Sequence, residues 1–246
     1  MLTTQLIITA NLDALALKAA ELFKTAARTH VDRRGRFAAA LSGGSTPRAM
    51  HRLLARPPLV GEVPWEQTHL FWVDERCLPA GDPESNLGSA WRDLLQHLPL
   101  PREHIHYVRG DFPPEEAVEE YQLELISFFQ PAPGEFPIFD LIFLGVGQDG
   151  HTASLFPWSS ALREEHRMAA TVKGGTPNVH RVTLTLPVLN RARQIVFLVA
   201  GREKAETVKA LLEGDRPDLP AAQVKPAGGE LIWLLDQEAA ALLEKV

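Results

Sequence analysis

The chain has 246 residues, 45% hydrophobic and 23% charged, enough for one large domain or two small ones with a core of ordinary size. Its formal net charge is −6 and it has no long basic run, which argues against nucleic acid or an anionic membrane as a partner. Its single cysteine, Cys77, excludes an intrachain disulfide framework; no apolar run reaches the ~20 residues of a membrane span, and residues 1–9 lack the features of a signal peptide, so a cytoplasmic location is expected.

Residues 5–9 are a short β-prone run. Asn11 or Asp13 can cap a helix over residues 12–29, where Leu15, Ala19, Leu22, Phe23 and Ala26 recur at helical spacing. Phe37–Leu41 reads as a buried strand and runs directly into Ser42-Gly43-Gly44-Ser45-Thr46-Pro47. Pro47 suits a first helical position and Thr46 a cap, so a helix over 48–56 is expected. Strand, glycine turn and helix start together make an anion site. Free backbone N–H groups point outwards, the helix dipole favours negative charge, and Ser42 and Ser45 add hydroxyls. The Walker spacing with its lysine is absent, and so is the GxGxxG fingerprint.

An apolar strand over 68–73 ends in Asp74-Glu75-Arg76, three charged residues expected on the same sheet rim as the glycine turn. Ser85 or Asn86 can cap a helix over 87–97. Residues 102–108 read as a weak strand carrying His104 and His106, with no third ligand and no HExxH spacing, so a metal site is not expected. A helix over 115–130 opens on Glu115 and Glu116, in keeping with its dipole. After a linker over 131–137, residues 138–144 form another apolar strand. Gly145, Gly147, Asp149, Gly150 and His151 follow it. Glycines there allow close approach of backbone to a ligand, and ligands of open α/β sheets bind beyond the carboxyl ends of the strands. A histidine delivered to that rim is a candidate for proton transfer.

Strands over 168–172 and 181–186 flank an irregular loop bracketed by the cations Lys173 and Arg181. A strand over 194–200 follows, then a helix over 202–213 with Lys204 in its first turn. A loop over 214–229, a strand over 230–235 and a helix over 237–244 capped by Asp236 complete the chain. Strands alternate with helices throughout. The expected fold class is α/β: a single layered domain over 1–246 with a mostly parallel sheet flanked by helices. One rim would then carry an anion cradle, basic side chains, one histidine and carboxylates. With no metal motif and no dinucleotide fingerprint, the implied substrate is a small phosphorylated molecule, the implied chemistry proton transfer or hydrolysis, and no cofactor is expected.

Several motifs follow one another in a recognisable order. They are Leu41-Ser42-Gly43-Gly44-Ser45-Thr46-Pro47, Trp72-Val73-Asp74-Glu75-Arg76, Pro83-Glu84-Ser85-Asn86, Gly145-Val146-Gly147-Gln148-Asp149-Gly150-His151, Arg181-Val182-Thr183-Leu184-Thr185-Leu186-Pro187 and Gly201-Arg202-Glu203-Lys204-Ala205. Over nearly the whole chain this pattern resembles the 6-phosphogluconolactonases, which share a Rossmann-like, NagB-type fold with the glucosamine-6-phosphate isomerases/deaminases. The resemblance implies metal-free hydrolysis of 6-phospho-D-glucono-1,5-lactone to 6-phosphogluconate in the oxidative pentose phosphate pathway. His151 would be the general base that activates water, with Asp149 or Asp74 orienting it. Ser42, Gly43, Gly44, Ser45 and Thr46 would hold the phosphate. Arg76, Lys173 and Arg181 would supply positive charge to the phosphate or the developing oxyanion. Similar deaminases carry Asn-Glu-Pro after the Gly-His motif; here Leu155-Phe156-Pro157 stands there, and a phenyl ring does no acid/base chemistry. That favours a lactonase over a deaminase. A sugar-phosphate sensor without turnover is a third reading, whose expected mark, loss of His151, is not seen. The loop over 174–180 departs from the proline-rich form of similar lactonases, which bears on Lys173 more than on Arg181.

Overall fold

A computed structural model describes residues 3–214 and 216–244. The ends of the domain expected over 1–246 and one residue of the loop expected over 214–229 lie outside the described residues. In chain order the elements are β1 (Thr3–Thr9), α1 (Leu12–Arg34), β2 (Phe37–Leu41), α2 (Ser45–Leu54), β3 (Thr68–Trp72) and β4 (Asp74–Arg76). Then come α3 (Asn86–Asp93), β5 (Ile105–His106), α4 (Pro114–Phe129), β6 (Leu141–Leu144), β7 (Ala169–Gly174) and β8 (Val179–Leu184). The last are α5 (Leu186–Leu189), β9 (Gln194–Val199), α6 (Ala205–Leu212) and β10 (Glu230–Asp236), with short 3-10 turns between several of them.

Local chemistry sets the first helix. The Asn11 side chain accepts the Ala14 N–H at 3.0 Å, and Gly35, at φ 71, closes α1 in a conformation that strains other residues. Of its apolar stripe, Leu15, Ala19 and Phe23 are fully buried, Ala26 is buried and Leu22 half-buried, and the helix runs on past residue 29 to Arg34.

Seven strands form one sheet in the order β1-β10-β9-β6-β2-β3-β5. Every pairing in it is parallel. A parallel sheet is covered on both faces, and β6 shows how: Ile142 and Leu144 join the core on one face, Leu141 and Phe143 the core on the other. The continuous apolar runs of β2, β6 and β9 are the sequence trace of that double burial.

Four expectations are corrected. Asp74-Glu75-Arg76 is not the tail of β3 but a strand of a second, antiparallel sheet of order β4-β8-β7. The chain changes sheets at Val73: its N–H donates to Leu41 O at 2.9 Å in the large sheet, while its carbonyl accepts Leu184 N–H at 2.8 Å beside the small one. The helix expected over 237–244 forms turns instead. Asp236 still caps them, accepting the Ala239 N–H at 2.8 Å, but the bonds that follow, Ala241 N–H to the Glu238 carbonyl at 3.4 Å and Leu243 N–H to the Ala240 carbonyl at 3.0 Å, span three residues and close turns, not an α-helix. The helix expected over 87–97 ends at Asp93, and the strand expected over 102–108 shrinks to Ile105–His106.

Candidate active site

β9, β6 and β2 are neighbours in the parallel sheet, so the segments after their carboxyl ends meet. They form, with β4, β8 and the turn before α6, a cleft of about 230 Å³. Its lining holds Ser42, Gly43, Gly44, Ser45, Thr46, Asp74, Arg76, His151 and Arg181, and also Asn86 and Lys204.

The first wall is the turn from β2 into α2. Gly44, at φ 100 and ψ 173, is the N-cap; Thr46 is the second residue of the helix rather than its cap. No side chain caps α2, so its first N–H groups are left for another acceptor, and Ser45 and Thr46 stand beside them. Buried Ser42 Oγ has no hydrogen-bond partner. A Cβ on Gly43 would meet Asn86 Oδ1 at 1.8 Å, so only glycine lets the turn pack against that amide.

Asn86 is placed by Glu75. The buried Glu75 carboxylate accepts the N–H groups of Arg76 at 2.7 Å, Asn86 at 2.8 Å and Leu87 at 2.7 Å, and the Ser85 hydroxyl at 3.1 Å. Burial pushes its carboxyl up, against the pull of those N–H groups. Asn86 in turn donates from Nδ2 to the Asp74 carbonyl at 2.9 Å and accepts from Arg76 Nη1.

The second wall is the turn after β6. Gly147 N–H donates to the His151 carbonyl at 2.8 Å, Gly150 N–H to the Gly147 carbonyl at 3.0 Å, and Gly150 sits at φ 78. A Cβ on Gly147 would lie 2.0 Å from His151 Nδ1, so the glycine makes room for the imidazole. Nδ1 lies 2.6 Å from Asp149 Oδ1, which also accepts the His151 N–H at 3.1 Å. Burial works against the Asp149 charge, yet the hydrogen bonds from His151 hold its carboxyl below the usual range. The Phe156 ring packs 4.6 Å from the imidazole, centroid to centroid. Between the two carboxylates named from the sequence, Asp149 is the one bonded to His151. Asp74 is engaged elsewhere: its Oδ2 accepts the Ser154 hydroxyl at 2.6 Å and lies 3.9 Å from Arg181 Nη1.

The cations come from three places. Arg76 and Arg181 are directly opposed in the β4–β8 pairing. Arg181 is buried and fixed by the carbonyls of Gly174 at 2.8 Å, Thr176 at 3.3 Å and Pro177 at 3.4 Å. Arg76 donates from Nη1 to the Glu84 carbonyl at 2.7 Å, and its buried Nε has no partner. Lys173 is not in the cleft: it stands exposed on β7, opposite His180. Lys204 lines the cleft instead, from the turn before α6. The sequence signal for it is a lysine at a helix start, where the dipole opposes a cation unless an anion is near. Glu75 and Asn86 stand in the motifs over 74–76 and 83–86, but nothing in those motifs pairs one with the other.

Elsewhere, His106 pairs with Glu124 at 2.5 Å and lies 3.0 Å from His69 Nδ1, far from this rim in the sheet order. The Cys77 thiol is pushed up to about 11 by burial, which leaves little thiolate at neutral pH.

Residues 10–233 match the family model described as glucosamine-6-phosphate isomerases/6-phosphogluconolactonase. A 6-phosphogluconolactonase of Synechocystis is 44% identical over 210 residues, 84% of this chain and 84% of that protein. Among solved structures, one described as devB protein superposes with a TM-score of 0.88 at 33% identity, covering 98% of this chain and 99% of its own. The 6-phosphogluconolactonase of Trypanosoma brucei superposes at 0.87 with 26% identity, covering 98% and 99%. The chain belongs to the glucosamine-6-phosphate isomerase/6-phosphogluconolactonase family. Its curated relatives put it on the lactonase side of that family.

Proposed function

We propose that this lactonase hydrolyses 6-phospho-D-glucono-1,5-lactone to 6-phosphogluconate, the ring-opening step of the oxidative pentose phosphate pathway, with His151 as general base. The observation that carries this reading is His151, paired with Asp149 at 2.6 Å and lining the same cleft as the glycine turn over 42–46. With the Nδ1 proton directed at Asp149, the lone pair of the neutral imidazole is on Nε2. Nε2 takes a proton from water as the water oxygen bonds to the lactone carbonyl carbon. The tetrahedral intermediate then collapses: the bond from that carbon to the ring oxygen breaks, and the imidazolium returns its proton to the ring oxygen. General-base catalysis of this kind contributes about 10²–10⁴-fold.

The remaining groups divide the binding work. The uncapped first turn of α2 with Ser42, Ser45 and Thr46 suits the phosphate, a handle remote from the reacting carbon. Arg76, Arg181 and Lys204 bring positive charge to one cleft of a chain whose net charge is −6. They offset the phosphate and the oxyanion that forms at the carbonyl. Deamination of glucosamine 6-phosphate is disfavoured by Phe156, which fills its position with a buried ring stacked on Trp158.

The test is an assay with freshly generated 6-phosphogluconolactone, corrected for spontaneous hydrolysis, run beside glucosamine 6-phosphate. Turnover of the lactone alone is expected, and His151→Ala should lower it at least ~10²-fold while phosphate-ligand binding persists. Deaminase activity without lactonase activity refutes the reading; full turnover in His151→Ala refutes the assignment of the base.

A further inference from the structure

The strands that end in the cleft over 42–46 and 145–151 begin at a second one. β2, β6 and β9 are adjacent, and their amino ends border a cleft of about 330 Å³ on the opposite rim of the sheet. That volume is within the ~300–1,000 Å³ of small-molecule sites. Arg34 and Arg36 precede β2, Asp140 precedes β6, and Arg191 and Arg193 precede β9.

Its charge is unbalanced. Four guanidinium groups face two carboxylates, Asp140 and Glu135. Asp140 is buried, accepts the Ala38 N–H at 3.0 Å, pairs with Arg34 and lies 3.4 Å from Arg193 Nε. Glu135 pairs with Arg191 at 2.6 Å from exposed positions, where such a pair is worth little and exchanges readily. Among the described residues Arg36 has no carboxylate partner; its guanidinium lies 4.6 Å from the centroid of the Phe128 ring. The opposite wall is apolar. Phe129 and Phe136 are only partly covered by the core, and Ile138 is 36% exposed. Guanidinium forks beside half-buried aromatic rings recognise a ligand with a phosphate at one end and a flat ring at the other.

We propose that this rim binds an anionic small molecule of the nucleoside-phosphate class, at a site separate from the cleft that holds His151. Each ligand end has its counterpart: guanidinium groups for the phosphate, and Phe129, Phe136 and Pro137 for the base. The four residues of β6 separate Asp140 from Gly145, so the two clefts stand on the two ends of one short strand.

The probe is adenosine 5′-monophosphate, with adenosine and inorganic phosphate as its two halves. Binding is measured by calorimetry on the full chain, on Arg36→Glu/Arg191→Glu, and on the neutral pair Arg36→Gln/Arg191→Gln. The expected result is saturable binding of the monophosphate, tighter than either half, weakened at least ~10-fold by the charge-reversed pair and less by the neutral pair, with lactone turnover unchanged in both. Unchanged turnover also shows that the variants fold. Binding equal in all three proteins overturns the proposal. So does binding abolished by Lys204→Ala but not by the arginine pairs, which puts the nucleotide in the catalytic cleft. Absence of binding to the wild-type chain, or binding of phosphate as tight as of the nucleotide, overturns it as well.

Discussion

One carboxylate oxygen, Asp149 Oδ1, holds both the ring Nδ1 of His151, at 2.6 Å, and its backbone N–H, at 3.1 Å. The imidazole is thus fixed in rotation and in tautomer by a residue two positions away. Asp149→Asn keeps the size of the group and removes its charge. We expect kcat to fall at least ~10-fold with KM little changed, since the carboxylate contacts the proposed base and not the glycine turn proposed for the phosphate. Because hydrogen bonds from His151 hold Asp149 below the usual carboxylate range, its contribution is present above about pH 4 and lost only as pH falls further. A pH–rate profile of the two proteins checks both points.

Gly147 makes room for the same ring. A methyl group there would lie 2.0 Å from Nδ1 and 2.7 Å from Asp149 Oδ1. Gly147→Ala should therefore displace the imidazole while leaving the sheet intact. Turnover falls at least ~10-fold and the melting temperature changes by only a few degrees, because both colliding groups are partly exposed side chains that can move. A variant that turns over like the wild type would mean the ring has no fixed working position.

Lys204 is the cation that joins the cleft from the turn before α6. If it faces the substrate phosphate, Lys204→Ala raises KM by about 10- to 150-fold, about 1.5–3 kcal/mol for a charged hydrogen bond, with a smaller effect on kcat. Lys173→Ala, on exposed β7, is the matched control and should change neither constant. Initial-rate kinetics on the two variants separates them.

His51 lies fully inside α2 with neither ring nitrogen hydrogen-bonded, and burial lowers it to about 4. A base whose folded value is depressed favours the folded state above its ordinary value, near 6.5, and loses that contribution as pH falls towards 4. Across that window the wild type loses up to about 1.4 kcal/mol per pH unit from this group alone. His51→Leu removes the titration. Urea unfolding at pH 8 and pH 5 should show the variant gaining on the wild type as pH falls; parallel loss in both proteins would rule out His51 as the source.

The large sheet was legible because a strand buried on both faces leaves a continuous apolar run, as in β2, β6 and β9. The small sheet was not. Asp74-Glu75-Arg76 has no apolar periodicity, and it is a strand only because β8, far away in sequence, pairs with it. The cap of α2 misled for a related reason. Thr46 and Pro47 are good helix-start residues, but Gly44 takes φ 100 and the helix begins before them. At the site, glycine turns and a histidine announce themselves as residue types in a row. Glu75 and Asn86 act through hydrogen bonds that no spacing encodes, and Lys204 comes to the cleft from a segment whose place depends on the order of β9 and β10.

The pairing of Asp74 with Thr183 and of Arg76 with Arg181 has a kinetic consequence. The three residues of β4 follow directly on Val73, whose N–H is held by the Leu41 carbonyl of the large sheet, so β4 is aligned for β8 only once the parallel core around β2, β6 and β9 has formed. Arg76 and Arg181 would reach their working positions only at that late pairing. During refolding from urea, catalytic activity should consequently return after the far-ultraviolet signal of the helices, making turnover a reporter of the last structure to form.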